Sequence, residues 1–231
     1  MTTLEDIIWN IGVMGLCYVY IIAIILIAPR LGLPGKLKRK FLHIMIGNLP
    51  FIMPLFSSSI YPFLVASPFI LVTFMASPYS PFKGIKLRGL SDLTEEGHYF
   101  GLVLYAISYS ILALIFGIKS YIVAAGILPM AYGDSMAALV GERYGNHKYR
   151  VFDTKSLEGS FGMFLGSFMS LVMGFYFFYV FYGFNFQNYV ITSGLIALLV
   201  TVVEAVSPKG FDNISVPVTG AISFILLNWW L

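Results

Sequence analysis

Five short stretches carry residues whose types and spacing could do chemistry. In Pro129-Met-Ala-Tyr-Gly-Asp134-Ser-Met-Ala-Ala-Leu-Val-Gly141, Asp134 interrupts an apolar run. An ionisable group in a membrane helix costs roughly 2.5–3.5 kcal/mol at the midplane and less near an interface, so it persists where it faces a cavity and has a partner. The plainer alternatives are an interhelical hydrogen bond or an interfacial Asp that snorkels. Its small neighbours Gly133, Ser135, Ala137, Ala138 and Gly141 let another helix or a nucleotide approach closely. In Lys155-Ser-Leu-Glu158-Gly159, Ser156 precedes an apolar helix. A helix start offers free N–H groups and a positive dipole end, which suit an anion. Lys155 adds a point charge suited to phosphate; the alternative is a capped helix with an ordinary interfacial lysine.

The third stretch is Glu204-Ala-Val-Ser-Pro208-Lys-Gly-Phe-Asp212-Asn213. Its carboxylates and Asn amide are hard oxygen donors, the type that holds Mg²⁺ together with substrate phosphates. Asp212 is equally placed to cap a following helix. The fourth is Lys38-Arg39-Lys40-Phe-Leu-His43. It reads first as a basic flank, but Arg39 and His43 at i and i+4 would share a helix face. Glu96-Gly97-His98-Tyr99 is a weaker candidate, and His147 reads as a solvated loop residue.

The elements that position these residues are set by composition. Of 231 residues 58% are apolar and 11% charged, against roughly a quarter charged in soluble domains. Too few charges remain to cover a globular surface. A spanning helix needs about 20 mostly apolar residues, and eight segments approach that length: 7–29, 41–57, 60–77, 99–117, 120–141, 159–182, 189–206 and 214–231. The expected fold is an all-α polytopic transmembrane bundle of about eight crossings, one membrane domain over 1–231. Pro50, Pro54, Pro62 and Pro68 mark the second and third segments as kinked or re-entrant, so six crossings with a re-entrant pair over 41–77 is the competing arrangement. Glu5 and Asp6 precede the first segment where a signal peptide would be basic. The lone Cys17 allows no intrachain disulfide. A net charge of +3 gives no argument for nucleic acid.

Of the 14 Lys and Arg residues, all but Lys119 fall in loops at 30–40, 78–98 and 142–158 or at Lys209. By the positive-inside rule these loops are cytoplasmic and both termini extracytoplasmic. Asp92, Glu95, Glu96, Glu142, Asp153, Glu158 and Asp212 lie in or beside the same loops, with Asp134 and Glu204 just inside the membrane. Threading explains the basic residues and not the acidic ones. The mixture points to a polar site on the cytoplasmic face for a phosphorylated, metal-bound ligand.

These pieces in this order resemble the polyprenol kinase family, which includes dolichol, phytol and CTP-dependent diacylglycerol kinases. The matching features are Arg39-Lys40-x-x-His43, then Gly133-Asp134-x-x-Ala137-x-x-x-Gly141-x-x-x-Gly145, then Lys155-Ser-x-Glu158-Gly159, then Glu204 with Asp212-Asn213 and Pro217. They run from about residue 38 to 218, and the middle pair is the specific part. The resemblance implies transfer of a γ-phosphoryl group, typically from CTP with Mg²⁺, to the hydroxyl of a polyprenol- or dolichol-type lipid alcohol. It implies a nucleotide-binding region around 130–160. CDP-lipid synthases are related at this level, so a cytidylyltransferase is the alternative. A transporter using Asp134 and Glu204 as ion carriers would need access from both faces.

On this reading Asp134, Lys155 and His43 are catalytic. Asp134 holds Mg²⁺ or orients the lipid hydroxyl as a base, and Lys155 holds the β and γ phosphates. Arg39, Lys40, Gly133, Ala137, Gly141, Ser156, Glu158 and Gly159 make up the rest of the nucleotide site. Glu158, Glu204, Asp212 and Asn213 are the further metal ligands. The nucleotide comes from the cytoplasm and the lipid alcohol from the bilayer, its tail in an aromatic-rich groove between helices. Assembly is left open, a homodimer among the alternatives.

Overall fold

Apolar segments satisfy their backbone groups in lipid by coiling into helices. The computed structural model, which describes residues 3–77, 79, 100–183 and 186–230, forms ten of them among those residues. The basic stretch with Lys83, Lys86 and Arg88, and the candidates Asp92, Glu95, Glu96 and His98, lie outside the described residues. The chain divides into two compact units, Met1–Ser120 and Tyr121–Leu231.

In the first unit α1 spans Leu4–Ile27. Thr3 and Asp6 close a capping box at its start, with Asp6 N–H donating to the Thr3 hydroxyl at 3.2 Å and Thr3 N–H to the Asp6 carboxylate at 3.0 Å. A 3₁₀ turn, Ala28–Leu31, stops at Gly32, whose φ of 62° favours glycine. Then come α2 (Gly35–Ile46), α3 (Ile60–Ala66), α4 (Pro68–Ala76) and α5 (Gly101–Phe116).

A continuous helix over 41–57 is not formed. Helix α2 ends at Ile46, and the chain continues in two 3₁₀ turns, Leu49–Phe51 and Met53–Leu55. Pro50 and Pro54 each sit in the first turn of one of them, where the missing N–H deprives no carbonyl of a partner. The expected 60–77 segment is divided at Ser67, ahead of Pro68. Ile60–Ala76 and Gly101–Phe116 are both shorter than a full crossing.

Interrupted helices strand backbone groups, and α1 meets many of them. Trp9 Nε1 donates to the Leu55 carbonyl at 2.9 Å, Tyr18 to Leu64 at 2.7 Å and Tyr20 to Met45 at 2.8 Å. Asn10 Nδ2 donates to Ser57 Oγ at 2.7 Å, and its Oδ1 accepts from Ser57 N–H at 3.0 Å. Asn10 is fully buried.

The second unit is built from longer rods. Helix α6 (Ser120–Leu128) passes through a π-helical turn, Pro129–Gly133, into α7 (Asp134–Tyr144). An antiparallel hairpin follows, β1 (Lys148–Arg150) with β2 (Thr154–Ser156). Helices α8 (Leu157–Tyr182), α9 (Phe186–Val206) and α10 (Asp212–Trp230) complete it. The hairpin stands where an irregular loop was expected; three residues per strand are too few to show a period of two.

Among the described residues, four helical stretches are long and apolar enough to cross a membrane: Leu4–Leu31, Ser120–Tyr144, Leu157–Tyr182 and Asn188–Val206. Burial follows the pattern of lipid rather than water as solvent. Met169, Met173 and Val180 of α8 are exposed, while Ser167 and Ser170 of the same helix are buried. In water an apolar surface of that extent would be a liability.

Helices α7 and α8 touch backbone to backbone. A Cβ on Gly162 would come within 2.9 Å of the Met136 carbonyl oxygen. One on Gly166 would lie 2.9 Å from the Tyr132 oxygen and 3.0 Å from Gly133 Cα. Gly162 and Gly166 thus let α8 lie against α7 and the π turn before it.

Candidate functional site

Lys155 is the best-fixed charged group of the second unit. It sits in β2 opposite Tyr149, so the hairpin and not a free loop sets its direction. The ribbon is tied down by Tyr149, whose hydroxyl lies 2.6 Å from Ser160 Oγ, and by Leu157 N–H, which donates to the His147 carbonyl at 2.9 Å. From there Lys155 Nζ reaches the last turns of α9. It donates to the Glu204 carboxylate at 2.5 Å and also to the Glu204 backbone carbonyl. Both side chains are largely out of solvent, at 18% and 8% exposure. Such a pair persists because removing either member strands the other charge.

Next to Lys155, Ser156 caps α8, its Oγ accepting from Gly159 N–H at 3.1 Å. With Leu157 N–H bound to His147, two of the first amides of α8 are engaged within the protein. The helix start is therefore capped in this state, with Lys155 the half-buried cation beside it.

Glu158 points to a different neighbour. Its carboxylate accepts from the His147 backbone N–H at 3.2 and 3.3 Å and contacts His147 Nδ1 at 2.7 Å. The His147 side chain is 78% exposed, so the expected solvation is met, but it has a partner that spacing alone did not reveal.

Asp134 opens α7 directly after the π turn, its N–H reaching back to the Pro129 carbonyl. Single π turns inside α-helices recur at functional sites because they reset the direction of the residues that follow. Ser167 Oγ, fully buried and without a hydrogen-bond partner in the structure, lies 2.2 Å from where a Gly133 Cβ would be. Ser167 was not singled out in the sequence, where it reads as one more small residue of an apolar helix. At the other end of α7, Gly141 and Ala137 meet the start of α8: a Gly159 Cβ would stand 3.2 Å from the Ala137 oxygen and 3.4 Å from Gly141 Cα. The small residues around Asp134 thus let a second helix approach. Seven residues separate Asp134 from Gly141, about 10 Å along the axis, so Asp134 lies roughly two turns deeper than the cap at Ser156.

At the start of α10, Asp212 Oδ1 accepts from Asn213 N–H and from Asn213 Nδ2, each at 3.0 Å. Asn213 Nδ2 also donates to the Gly210 carbonyl at 3.2 Å, and Ser207 and Ser215 join the end of α9 to α10 at 2.6 Å. The structure brings Lys155 to Glu204, Glu158 to His147 and Asp212 to Asn213. Among the described residues it gathers no three His, Cys, Asp or Glu side chains into a group able to hold a metal by themselves.

Arg39, Lys40 and His43 belong to the first unit, on α2. Sequence spacing suggested that Arg39 and His43 face inward together. Instead Lys40 (9% exposed) and His43 (4%) are the buried pair, three residues apart, and Arg39 is half-buried. His43 packs its ring against Tyr105 of α5, with centroids 4.5 Å apart.

Comparison with known proteins finds similar proteins over most of the chain. A phytol kinase from Synechocystis is 34% identical over 218 residues, covering 90% of this chain and 88% of that protein. A probable chloroplastic phytol kinase 1 from Glycine max is 30% identical over 240 residues, covering 97% and 79%. A chloroplastic farnesol kinase from Arabidopsis thaliana is 30% identical over 216 residues, covering 83% and 66%. No family model matches the chain, and no solved structure matches it.

Proposed function

The chain belongs to the polyprenol kinase family, and we propose that it transfers the γ-phosphoryl group of CTP to the hydroxyl of an isoprenoid alcohol of the phytol or farnesol type. The observation that carries this reading is Lys155, held by a hairpin at the mouth of α8 and paired with the buried Glu204. Phosphoryl transfer asks for positioned charge more than for covalent chemistry. Lys155 leaves Glu204 to hold the β and γ phosphates, and Glu204 keeps the lysine aimed while the site is empty. Asp134, set by the π turn, orients the acceptor hydroxyl and takes up its proton.

The donor set of Asp134, Glu204, Asp212 and Asn213 is all hard oxygen. That fits Mg²⁺, which usually takes one or two carboxylates and completes its shell with substrate phosphates and water. Bound there, it would neutralise charge on the phosphates. The reaction is assigned to the face that carries the basic loops, where the nucleotide is supplied from the cytoplasm and the alcohol from the bilayer.

The test is product analysis with α- and γ-labelled CTP, with ATP in parallel, and phytol or farnesol as acceptor. Label from the γ position in the lipid fraction is expected, with none from the α position. Lipid labelled from the α position would instead mean a cytidylyltransferase and would overturn the proposal. Chelating Mg²⁺ with EDTA is expected to stop transfer, and added Mg²⁺ to restore it.

A further inference from the structure

The break between α2 and α3 leaves space inside the first unit. An apolar pocket of about 700 Å³, open volume included, is walled by α1, α2, α3, α4 and α5 through residues such as Ile21, Leu42, Ile46, Leu49 and Phe69. Leu49, Ala66 and Tyr109 also wall a second, smaller cavity of about 230 Å³. A continuous helix over 41–57 would leave Leu49 on an ordinary helical face, so the pocket is a product of the 3₁₀ turns.

One strip of this apolar wall is polar. His43, Tyr105 and Tyr109 follow one another along it: the His43 and Tyr105 rings are 4.5 Å apart, and Tyr109 meets Tyr105 edge-on at 6.0 Å. Tyr109 is 3% exposed, and its hydroxyl has no hydrogen-bond partner in the structure. A buried hydroxyl left unmatched costs about 1–3 kcal/mol, which a ligand with one polar atom would recover. The fourth polar residue of the wall, Thr73, already spends its hydroxyl on the Phe69 carbonyl at 2.6 Å.

We infer that this pocket takes up the isoprenoid alcohol from the bilayer, with Tyr109 Oη hydrogen-bonded to its hydroxyl before transfer. The inference rests on the kinase reading above and assigns its lipid subsite to the first unit. A long hydrocarbon with a hydroxyl at one end matches an apolar wall whose polar strip ends in the unmatched Tyr109 hydroxyl. A nucleotide does not match it, since among the described residues of the wall His43 alone can carry a positive charge.

The test uses the full-length protein in lipid nanodiscs and a farnesol analogue with a diazirine at the end remote from the hydroxyl, crosslinked with and without excess phytol. Phytol-competed labelling is expected on peptides from α2 to α5. Competed labelling confined to Tyr121–Leu231 would overturn the inference. So would labelling of the first unit that phytol does not compete, which would mean a groove filled by bulk lipid. Ala66→Trp, which fills the pocket, is expected to abolish the competed label while CTP binding persists. The wild-type map stands without it if that variant does not fold. Tyr109→Phe is expected to raise KM for farnesol about ten-fold with a smaller change in kcat, and to erase the preference for farnesol over its hydrocarbon farnesene as competitor. An unchanged preference would remove Tyr109 from the subsite. Competed labelling in the first unit without phosphate transfer would keep the pocket and sink the kinase reading. Transfer with labelling elsewhere would do the reverse.

Discussion

In Met1–Ser120 the helices are short and interrupted, and side chains from α1 cross over to meet stranded backbone groups. In Tyr121–Leu231 the helices are long, and glycines let two of them run in backbone contact. Interruption creates volume, and the first unit holds the apolar pocket beside His43, Tyr105 and Tyr109. Close contact removes volume but fixes direction, and the second unit holds the paired charges Lys155 and Glu204. In the proposed reading the labour is divided, one region loose enough for a hydrocarbon chain and another rigid enough to aim a lysine.

The comparison is broken most directly at the charged pair. Lys155→Ala is expected to abolish phosphoryl transfer, a loss of at least about 100-fold on the scale of one electrostatic group in a reaction centre. It should also destabilise the second unit by about 3–5 kcal/mol, because the buried Glu204 carboxylate loses its countercharge. The double variant Lys155→Ala/Glu204→Gln should recover most of the stability and none of the activity. Thermal unfolding and a lipid phosphorylation assay separate the two effects. Asp134→Asn should lose activity to a similar extent without the loss of stability.

Next in size are the glycines. Gly162→Ala and Gly166→Ala would each drive a methyl into backbone oxygen at 2.9 Å, and overpacking of this kind costs typically 1–3 kcal/mol. Gly12→Ala and Gly15→Ala on α1 meet nothing within 4 Å and should leave the melting temperature unchanged or raise it. If all four behaved alike, the contrast between the two units would fail. In the first unit Asn10→Ala should cost about 1–3 kcal/mol by stranding the Ser57 N–H. The smallest change is expected at the exposed pair: His147→Ala should leave thermal stability within error.

Much of the candidate site was legible because a polar residue in an apolar context is conspicuous. Asp134, Lys155 and Glu204 stand out for that reason, and the prolines marked 41–77 as the irregular part. The union of Lys155 with Glu204 was not legible, since 49 residues separate them and no period connects them. The hairpin escaped for want of length. Asn10 was absorbed into the apolar segment 7–29, where its amide looked like a blemish rather than a clamp. The inward face of α2 was misread by one position, because the residues three and four before His43 both lie close to its helix face and packing chose Lys40 over Arg39.

The bonds from α1 to Met45, Leu55, Ser57 and Leu64 also set an order for biogenesis. Those groups have no water to turn to in hydrocarbon. The segment that carries them enters lipid at low cost only when α1 is already there to receive it. A ribosome delivers α1 first, so the chain is synthesised in the sequence in which it can be inserted. Moving α1 to the other end of the polypeptide would keep every contact of the finished protein and remove the helper from its own assembly.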